Sequence, residues 1–192
     1  MKTLTFGLVG EKGSGKTTFT EVLKEEFGEK NVLVLSSGDI LRALLKKMGR
    51  QETDENAQDL YLELRKKRGE AFLAEEIGKQ IERNIGTYPC IVWDGVRKPW
   101  DFRTIRICGG ISICITADER KRWLRRRRGK RGKAGERGLT WEQFRKEEEK
   151  ETEQDIKRIG KNCDFCFKNN DRTRDFKKLI KKFLKEENFA QE

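Results

Sequence analysis

The sequence of 192 residues contains no histidine. Histidine is the commonest general base and the commonest metal-binding side chain in proteins, so catalysis by this chain must depend on carboxylates, lysine, arginine and a metal ion. Hydrophobic residues are also scarce, at 34% of the sequence against 40% charged residues. This length and composition suit one α/β domain with a compact core and heavily charged helices.

Long apolar segments are missing as well. No stretch is long enough to span a bilayer, and the N-terminus lacks the extended apolar region of a signal peptide. The five cysteines are odd in number, and the pair Cys163 and Cys166 has no second pair to complete a four-ligand zinc site. We therefore expect reduced thiols, a cytoplasmic location and no membrane partner.

Positive charge, by contrast, is in excess, with a formal net charge of +11. This excess favours anionic partners, and nucleotides satisfy it as well as nucleic acids do. The net charge therefore indicates an anionic partner but does not distinguish a nucleotide from a nucleic acid.

The strongest motif covers residues 10–17, Gly-Glu-Lys-Gly-Ser-Gly-Lys-Thr, and fits the phosphate-loop pattern G-x-x-x-x-G-K-[ST]. An apolar run at 4–9 precedes it and apolar residues at helical spacing follow it, which is the strand, loop and helix context that the motif requires. Glycines allow backbone N–H groups to turn toward phosphate oxygens at a helix N-terminus. Lys16 can reach the β- and γ-phosphates, and the Thr17 hydroxyl can bind Mg²⁺. The motif predicts ATP and Mg²⁺ as cofactors, with ATP held by Gly10, Lys12, Gly13, Ser14, Gly15, Lys16, Thr17 and Thr18.

Strand and helix patterns alternate along the rest of the chain. This alternation predicts an α/β fold, with a parallel sheet of five strands, helices on both faces and ligands at the carboxyl ends of the strands. The third of these strands is expected to end at the carboxylate of Asp94. The apolar strand candidates lie at 3–9, 31–36, 89–94, 110–117 and 164–168.

Two segments beside the carboxyl ends of predicted strands carry a family resemblance. Residues 36–42, Ser-Ser-Gly-Asp-Ile-Leu-Arg, resemble the Ser-Thr-Gly-Asp-Met-Leu-Arg segment of adenylate kinases. Residues 94–97, Asp-Gly-Val-Arg, are similar to the Asp-Gly-Phe-Pro-Arg segment of nucleoside monophosphate kinases. They are closer still to the Asp-Gly-Val/Ile-Arg of small archaeal adenylate-kinase-like and dephospho-CoA-kinase-like proteins. With the phosphate loop, these segments make nearly the whole chain resemble the P-loop nucleoside monophosphate kinase family.

This resemblance implies the roles of the acceptor-side residues. Arg42 and Arg97 would hold the acceptor phosphate, since planar guanidinium groups suit phosphate oxygens. Asp94 would orient Mg²⁺ and its waters together with Thr17. The chain departs from the family pattern in lacking the proline before Arg97, which leaves the shape of that loop open. The substrate-binding residues implied in this way are Ser37, Gly38, Asp39, Arg42, Arg65, Gly95 and Arg97.

The basic segment 120–137 lies where monophosphate kinases have a mobile lid. A lid would bring arginines over the triphosphate and exclude water when it closes. A solvated basic surface or a nucleic-acid-binding patch is the alternative interpretation. The candidate lid arginines are Arg122, Arg125, Arg126, Arg127, Arg128 and Arg131, with Arg125 assigned to ATP binding. The expected catalytic set is Lys16, Arg42, Asp94, Arg97 and Arg128.

The expected function is transfer of the γ-phosphoryl group of Mg-ATP to a nucleoside or deoxynucleoside monophosphate. A dephospho-CoA-kinase-like enzyme and a nucleic-acid-associated P-loop ATPase remain as alternatives. The expected architecture is a three-layer P-loop NTPase fold in a single domain, 1–192, with a helical acceptor-binding insert and a short lid. Its parts are a core at 1–37, 86–118 and 140–192, the acceptor-binding region at 38–85 and the lid at 119–139.

Overall fold

The computed structural model of the protein describes residues 2–128, 138–149 and 151–189. A single parallel sheet lies at its centre, formed by β1 (Leu4–Val9), β2 (Val32–Leu35), β3 (Cys90–Val96), β4 (Ile111–Thr116) and β5 (Phe165–Lys168). The strand order is β2-β3-β1-β4-β5, so the strand that leads into the phosphate loop is the central one. The carboxyl ends of all five strands therefore share one edge.

Helices cover both faces of this sheet. They are α1 (Lys16–Phe27), α2 (Ser37–Lys47), α3 (Asp54–Arg68), α4 (Phe72–Asn84), α5 (Pro99–Ile107), α6 (Glu119–Arg127), α7 (Trp141–Glu148), α8 (Glu151–Gly160) and α9 (Thr173–Glu186). On one face, α1 and α9 pack against β1 and β4 through buried residues such as Phe19 and Ile180. On the other face, α4, α5 and α8 bury Ile77, Ile105 and Ile159 against Trp93. The three-layer α/β fold predicted from the sequence is confirmed.

A third, smaller apolar cluster lies among α2, α3 and α4. Leu45, Leu60 and Phe72 are fully buried within it. These three helices contact one another and form a separate layer of packing beside the carboxyl edge of the sheet. This arrangement gives the segment 38–85 its own small core.

Strand β3 differs from the prediction at its carboxyl end. The strand does not stop at Asp94 but continues to Val96. Leu8 pairs with Asp94 and the next residue, Val9, pairs with Val96, so Gly95 is an extra residue in β3. Gly95 takes a φ of 95°, which a glycine adopts without strain. The bulge turns the chain at the point where Asp94 and Arg97 enter the candidate site.

Two general expectations were also tested by the described part of the chain. None of its helices combines the length and apolarity needed to cross a membrane. The five cysteines are all free, and no metal-binding cluster of cysteine or carboxylate side chains occurs among the described residues.

Candidate functional site

The phosphate loop joins the end of β1 to the start of α1. Ser14 N donates to Glu11 O at 3.2 Å, which closes the turn. Lys16 Nζ crosses the loop and donates to Gly10 O at 2.7 Å and Glu11 O at 3.2 Å. The ammonium group thus lies across the loop, held by two of its backbone carbonyl oxygens, and the helix N-terminus adds its positive dipole end.

Asn169, which follows β5, fixes the loop from outside. Its backbone N–H donates to Thr116 O at 2.7 Å, and its side-chain Nδ2 donates to Ser14 O at 2.7 Å. Gly15 lies against this amide with a φ of 120°. The loop therefore depends on a residue 155 positions away in the sequence, and sequence reasoning missed it.

Helix α6 lies against the same loop. Arg125 donates from Nη2 to Asn169 O at 2.9 Å and from Nη1 to Gly13 O at 3.3 Å. Burial lowers the pKa of the Arg125 guanidinium. A Cβ atom on Gly13 would come within 3.2 Å of Arg126 Cγ, so this position of the loop has no room for a side chain.

Arg122 on α6 is a structural residue rather than a free lid arginine. Its side chain is 1% exposed and forms a two-pronged salt bridge with Glu148 of α7, with Nη1 donating to Oε1 at 2.9 Å. The guanidinium also lies 5.4 Å from the centre of the Phe144 ring and 3.9 Å from Glu11 of the loop. Burial alone would lower the pKa of Arg122, but the hydrogen bonds to Glu148 and the charge of Glu11 outweigh it and raise that pKa.

Arg126 makes a parallel contact one turn further along α6. Its Nη2 lies 2.9 Å from Glu147 Oε2, and its guanidinium lies 5.8 Å from the centre of the Phe144 ring. Lys12, predicted to bind ATP, lies 3.5 Å from the same Glu147 carboxylate. Two of the candidate lid arginines therefore bind α6 to α7, while Arg131 lies outside the described residues.

Arg42 is oriented by its own helix. Ser36 caps α2, and its hydroxyl donates to Asp39 Oδ2 at 2.6 Å. Arg42 Nη2 donates to Asp39 Oδ1 at 2.8 Å. Burial would raise the pKa of Asp39, but the hydrogen bonds from Ser36 and Arg42 outweigh it, so the pKa is lowered. The carboxylate therefore serves as a fixed counter-charge that holds the guanidinium at the start of α2.

Arg97 is positioned by the turn into α5. The backbone N–H groups of Arg97 and Lys98 donate to Asp101 Oδ2 at 2.9 and 3.0 Å. Asp101 is buried, which raises its pKa against the effect of these two hydrogen bonds. Lys98 in turn lies 2.8 Å from Asp155 of α8. These bonds fix the loop whose shape the missing proline had left open.

These elements surround one cavity of about 990 Å³. From the predicted nucleotide-binding set, the cavity is lined by Gly13, Gly15, Lys16, Thr17, Thr18 and Arg125. From the predicted acceptor set, it is lined by Ser37, Gly38, Arg42, Gly95 and Arg97. Arg128 and Asp94, both predicted to be catalytic, line it as well. Arginines from three separate segments, at α2, after β3 and on α6, thus share a cavity with the phosphate loop.

Other predicted site residues are not part of the cavity lining. Asp39 acts through Arg42, as described above, and Gly10 and Ser14 belong to the closed turn of the loop. Arg65 pairs with Glu70, with Nε donating to Oε1 at 2.5 Å, and it is Glu70 that lines the cavity. The predicted residues outside the lining are Gly10, Lys12, Ser14, Asp39 and Arg65.

Several lining residues were not predicted. Trp100 and Asp101 directly follow Arg97, and Asn169 directly follows the last strand, so the rule that ligands bind at the carboxyl ends of strands could have found them. Tyr61 and Leu73 come from α3 and α4, and Glu70 comes from the turn between these helices, a region in which the sequence pattern constrains the site little. Arg126, a candidate lid arginine, and Ser36, the first residue of the segment 36–42, also line the cavity. The lining residues that sequence reasoning missed are Tyr61, Glu70, Leu73, Lys98, Trp100, Asp101, Asn169, Thr173 and Phe176.

The chain is similar to archaeal proteins. It is 29% identical over 103 residues to a UPF0200 protein of Methanocaldococcus jannaschii, which covers 54% of the chain and 50% of that relative. It is 27% identical to a UPF0200/UPF0201 protein of Archaeoglobus fulgidus, over 96% of the chain and 55% of that relative. The chain thus spans about half the length of these two proteins. A UPF0200 protein of Pyrococcus abyssi is 26% identical over 93% of the chain and 94% of its own length.

Solved structures share the fold. The shikimate kinase of Bacteroides thetaiotaomicron superposes with a TM-score of 0.58 at 14% identity, over 95% of this chain and 98% of that one. A protein of Thermus thermophilus superposes with a TM-score of 0.59 at 20% identity, over 97% of this chain and 98% of that one. At these identities the likeness establishes the P-loop kinase-like fold alone.

A family model described as an AAA domain matches residues 9–145, which is well over half of the chain and contains the phosphate loop, α2, β3 and α6. The chain belongs to this AAA-domain family of P-loop proteins, with a kinase-like fold.

Proposed function

We propose that the protein transfers the γ-phosphoryl group of ATP to the phosphate of a nucleoside monophosphate. The observation that carries this proposal is that Arg42 and Arg97 line the same cavity as Lys16 and Thr17. Its volume, about 990 Å³, lies at the upper end of the range of about 300–1,000 Å³ for ligand pockets. The cavity thus offers room for a triphosphate at the loop and a second phosphorylated molecule at the arginines.

The residues of the chain suit phosphoryl transfer without a strong base. The transition state of this reaction is loose, so catalysis depends on positioning and on neutralising the charge of the transferring group. Lys16 and Arg128 would bind that group, Arg125 would bind the nucleotide at the loop, and Arg42 and Arg97 would hold the acceptor phosphate. An attacking phosphate oxygen is already anionic, which is compatible with a chain that has no histidine.

The residues at the loop also fit a hydrated Mg²⁺ ion. Asp94 Oδ1 is buried and has no hydrogen-bond partner among the described residues, and both Asp94 and the Thr17 hydroxyl line the cavity. A buried carboxylate oxygen without a donor is costly unless a cation or its water occupies that position. When bound, Mg²⁺ supplies charge neutralisation between the β- and γ-phosphates. Thr17 would bind the ion and Asp94 would order its waters.

The decisive experiment uses the two acceptor arginines. In Arg42→Ala and Arg97→Ala we expect kcat/KM for the acceptor to fall about 10- to 100-fold each, because each variant loses charge-assisted hydrogen bonds worth about 1.5–3 kcal/mol. The Kd for ATP is expected to change less than about twofold, since neither residue belongs to the loop. ADP release with a panel of ribo- and deoxyribonucleoside monophosphates measures the first quantity, and equilibrium titration measures the second.

Arg103→Ala is the matched control, because Arg103 is an exposed arginine of α5 that does not line the cavity. Normal use of the acceptor by both variants would overturn the assignment.

Two further measurements test the alternative functions. Turnover of dephospho-CoA alone would favour a dephospho-CoA-kinase-like enzyme. ATPase activity stimulated by RNA or DNA, with binding that weakens steeply as salt rises, would favour a nucleic-acid-associated ATPase.

A further inference from the structure

Beyond the acceptor arginines, the cavity has a wall of aromatic and apolar side chains. Tyr61 of α3, Leu73 of α4 and Trp100 of α5 line it. Tyr61 lies against the buried Phe72, with ring centres 5.8 Å apart and an angle of 32° between the rings. Side chains of this kind suit the flat, apolar faces of a planar ring system better than a sugar or a phosphate.

One carboxylate interrupts this wall. Glu70 lies in the turn between α3 and α4 and lines the same cavity as Tyr61 and Leu73. The turn is formed by Gly69, which has a φ of 86° and donates its N–H to Arg65 O at 3.0 Å. This hydrogen bond fixes the backbone just before Glu70 to the last turn of α3.

The Glu70 side chain is held as well. Its Oε1 accepts from Arg65 Nε at 2.5 Å and also contacts Arg65 Nη2. The Arg65 guanidinium therefore fixes one edge of the carboxylate, and an ionised carboxylate can only accept hydrogen bonds. The Glu70 side chain is 44% exposed in the free protein. A ligand ring that lies against Tyr61 and Leu73 and displaces water from Glu70 must bring a donor to it, or leave that acceptor unmatched.

We infer that Glu70 makes the acceptor site selective for nucleobases that carry an exocyclic amino group, against uracil and thymine. This inference rests on the proposed monophosphate kinase function and names its substrate class. Adenine, cytosine and guanine each offer an N–H₂ donor. Uracil and thymine offer only a ring N–H recessed between two carbonyl oxygens, so the remaining oxygen, Oε2, comes close to both carbonyls when it accepts from that N–H. An exocyclic amino group projects beyond the ring and reaches Oε2 with less of this repulsion, which disfavours the wrong ligand.

The test compares AMP, CMP, GMP, UMP and dTMP as acceptors for MgATP, with kcat/KM measured by ADP release. We expect the best amino-bearing monophosphate to exceed both UMP and dTMP by about tenfold or more. In Glu70→Gln, whose amide can donate to a carbonyl, this ratio is expected to fall by about tenfold, through poorer use of the amino-bearing base and better use of UMP.

Glu76→Gln is the matched control. Glu76 lies six residues further along the chain, pairs with Arg68 at 2.7 Å and Lys79 at 3.2 Å, and does not line the cavity. The Glu76→Gln variant removes the same charge from the same region of the chain. The ratio of its kcat/KM for AMP to its kcat/KM for UMP should therefore stay at the wild-type value. A change as large as that in Glu70→Gln would overturn the inference.

The same assay distinguishes a contact of Glu70 with the base from a contact of Glu70 with the sugar. This is needed because ribose hydroxyls are hydrogen-bond donors too. The pair AMP and dAMP tests this: a preference for AMP that disappears in Glu70→Gln, with no change in base preference, would overturn the inference and assign Glu70 to the sugar. Equal use of all five monophosphates would overturn it while the kinase function stands.

If no monophosphate is phosphorylated, the proposed function fails, and equilibrium dialysis of AMP, CMP, GMP and UMP without ATP still decides the inference. Tighter binding of at least one amino-bearing monophosphate than of UMP, lost in Glu70→Gln, supports it; equal binding of all four, or binding of none, overturns it.

Discussion

Gly15 is held against Asn169 so closely that a side chain at this position would overlap the amide Nδ2, and it would also lie 3.2 Å from Phe176 Cε1. Two separate costs follow from replacing it. The first is backbone strain, because φ is 120°. The second is displacement of Asn169, whose amide holds Ser14 O at 2.7 Å and with it the shape of the loop.

Gly15→Ala is therefore expected to abolish measurable ATP binding, and Gly86→Ala separates the two costs. Gly86 also has a positive φ, 84°, but a Cβ atom there would meet nothing within 4 Å. Both variants should lose about 1–2 kcal/mol of unfolding free energy from the left-handed backbone. Only Gly15→Ala should lose ATP affinity, measured by titration calorimetry. Loss of affinity in both variants would show that strain alone, rather than contact with Asn169, controls the loop.

Two of the ion pairs that join helices α6 and α7 differ sharply in burial, and the pair Arg122–Glu148 is the buried one of these two. Its side chains are 1% and 5% exposed, whereas those of Arg145 and Glu119, which join the same two helices at 2.6 Å, are 49% and 36% exposed. Removing one partner of a buried pair leaves an uncompensated charge, which costs about 3–5 kcal/mol. An exposed pair contributes about 0.2–1 kcal/mol.

We therefore expect Arg122→Met to lower the unfolding free energy by about 3–5 kcal/mol and Arg145→Met by less than about 1 kcal/mol, measured by urea denaturation. The double variant Arg122→Met/Glu148→Leu should recover part of the loss, because it removes both buried charges. Recovery should be incomplete, since Arg122 Nε also donates to Ala117 O at 3.1 Å. Equal effects of the two single variants would contradict a structural role for Arg122.

The same helix shows what a sequence can and cannot predict. The basic segment 120–137 was expected to be a mobile lid, because of the resemblance to monophosphate kinases, whose lid follows the fourth strand. No local pattern indicates that Arg122 and Arg125 have partners within the protein, because those partners are distant: Glu148 lies 26 residues from Arg122, and Gly13 lies 112 residues from Arg125. A charged side chain is therefore expected to be exposed when its partner is too distant in sequence to appear in the local pattern.

Over the whole molecule, the fold and the phosphate loop were predictable because their signals are local. The loop, its strand and its helix are contiguous, and the alternation of strands and helices fixes a parallel sheet. Asn169 and Glu70 were missed for the opposite reason. Each is an ordinary polar residue in sequence, and only the convergence of strand ends and helices on one cavity gives it a position beside a ligand.

This convergence predicts how the fold responds to its ligand. Anything that binds only the folded state stabilises it, by about 2.7 kcal/mol at a ligand concentration one hundred times Kd. MgATP should therefore raise the unfolding free energy of the wild-type protein by that amount in urea titrations. Lys16→Met should lose most of the increase at the same MgATP concentration, since Lys16 lines the cavity and lies within the loop. Lys24→Met, on the same helix but in an exposed pair with Glu29 at 3.3 Å, should keep it. If Lys16→Met retained the full stabilisation, ATP would have to bind somewhere other than the phosphate loop, and the assignment of the cavity to two phosphorylated ligands would fall with it.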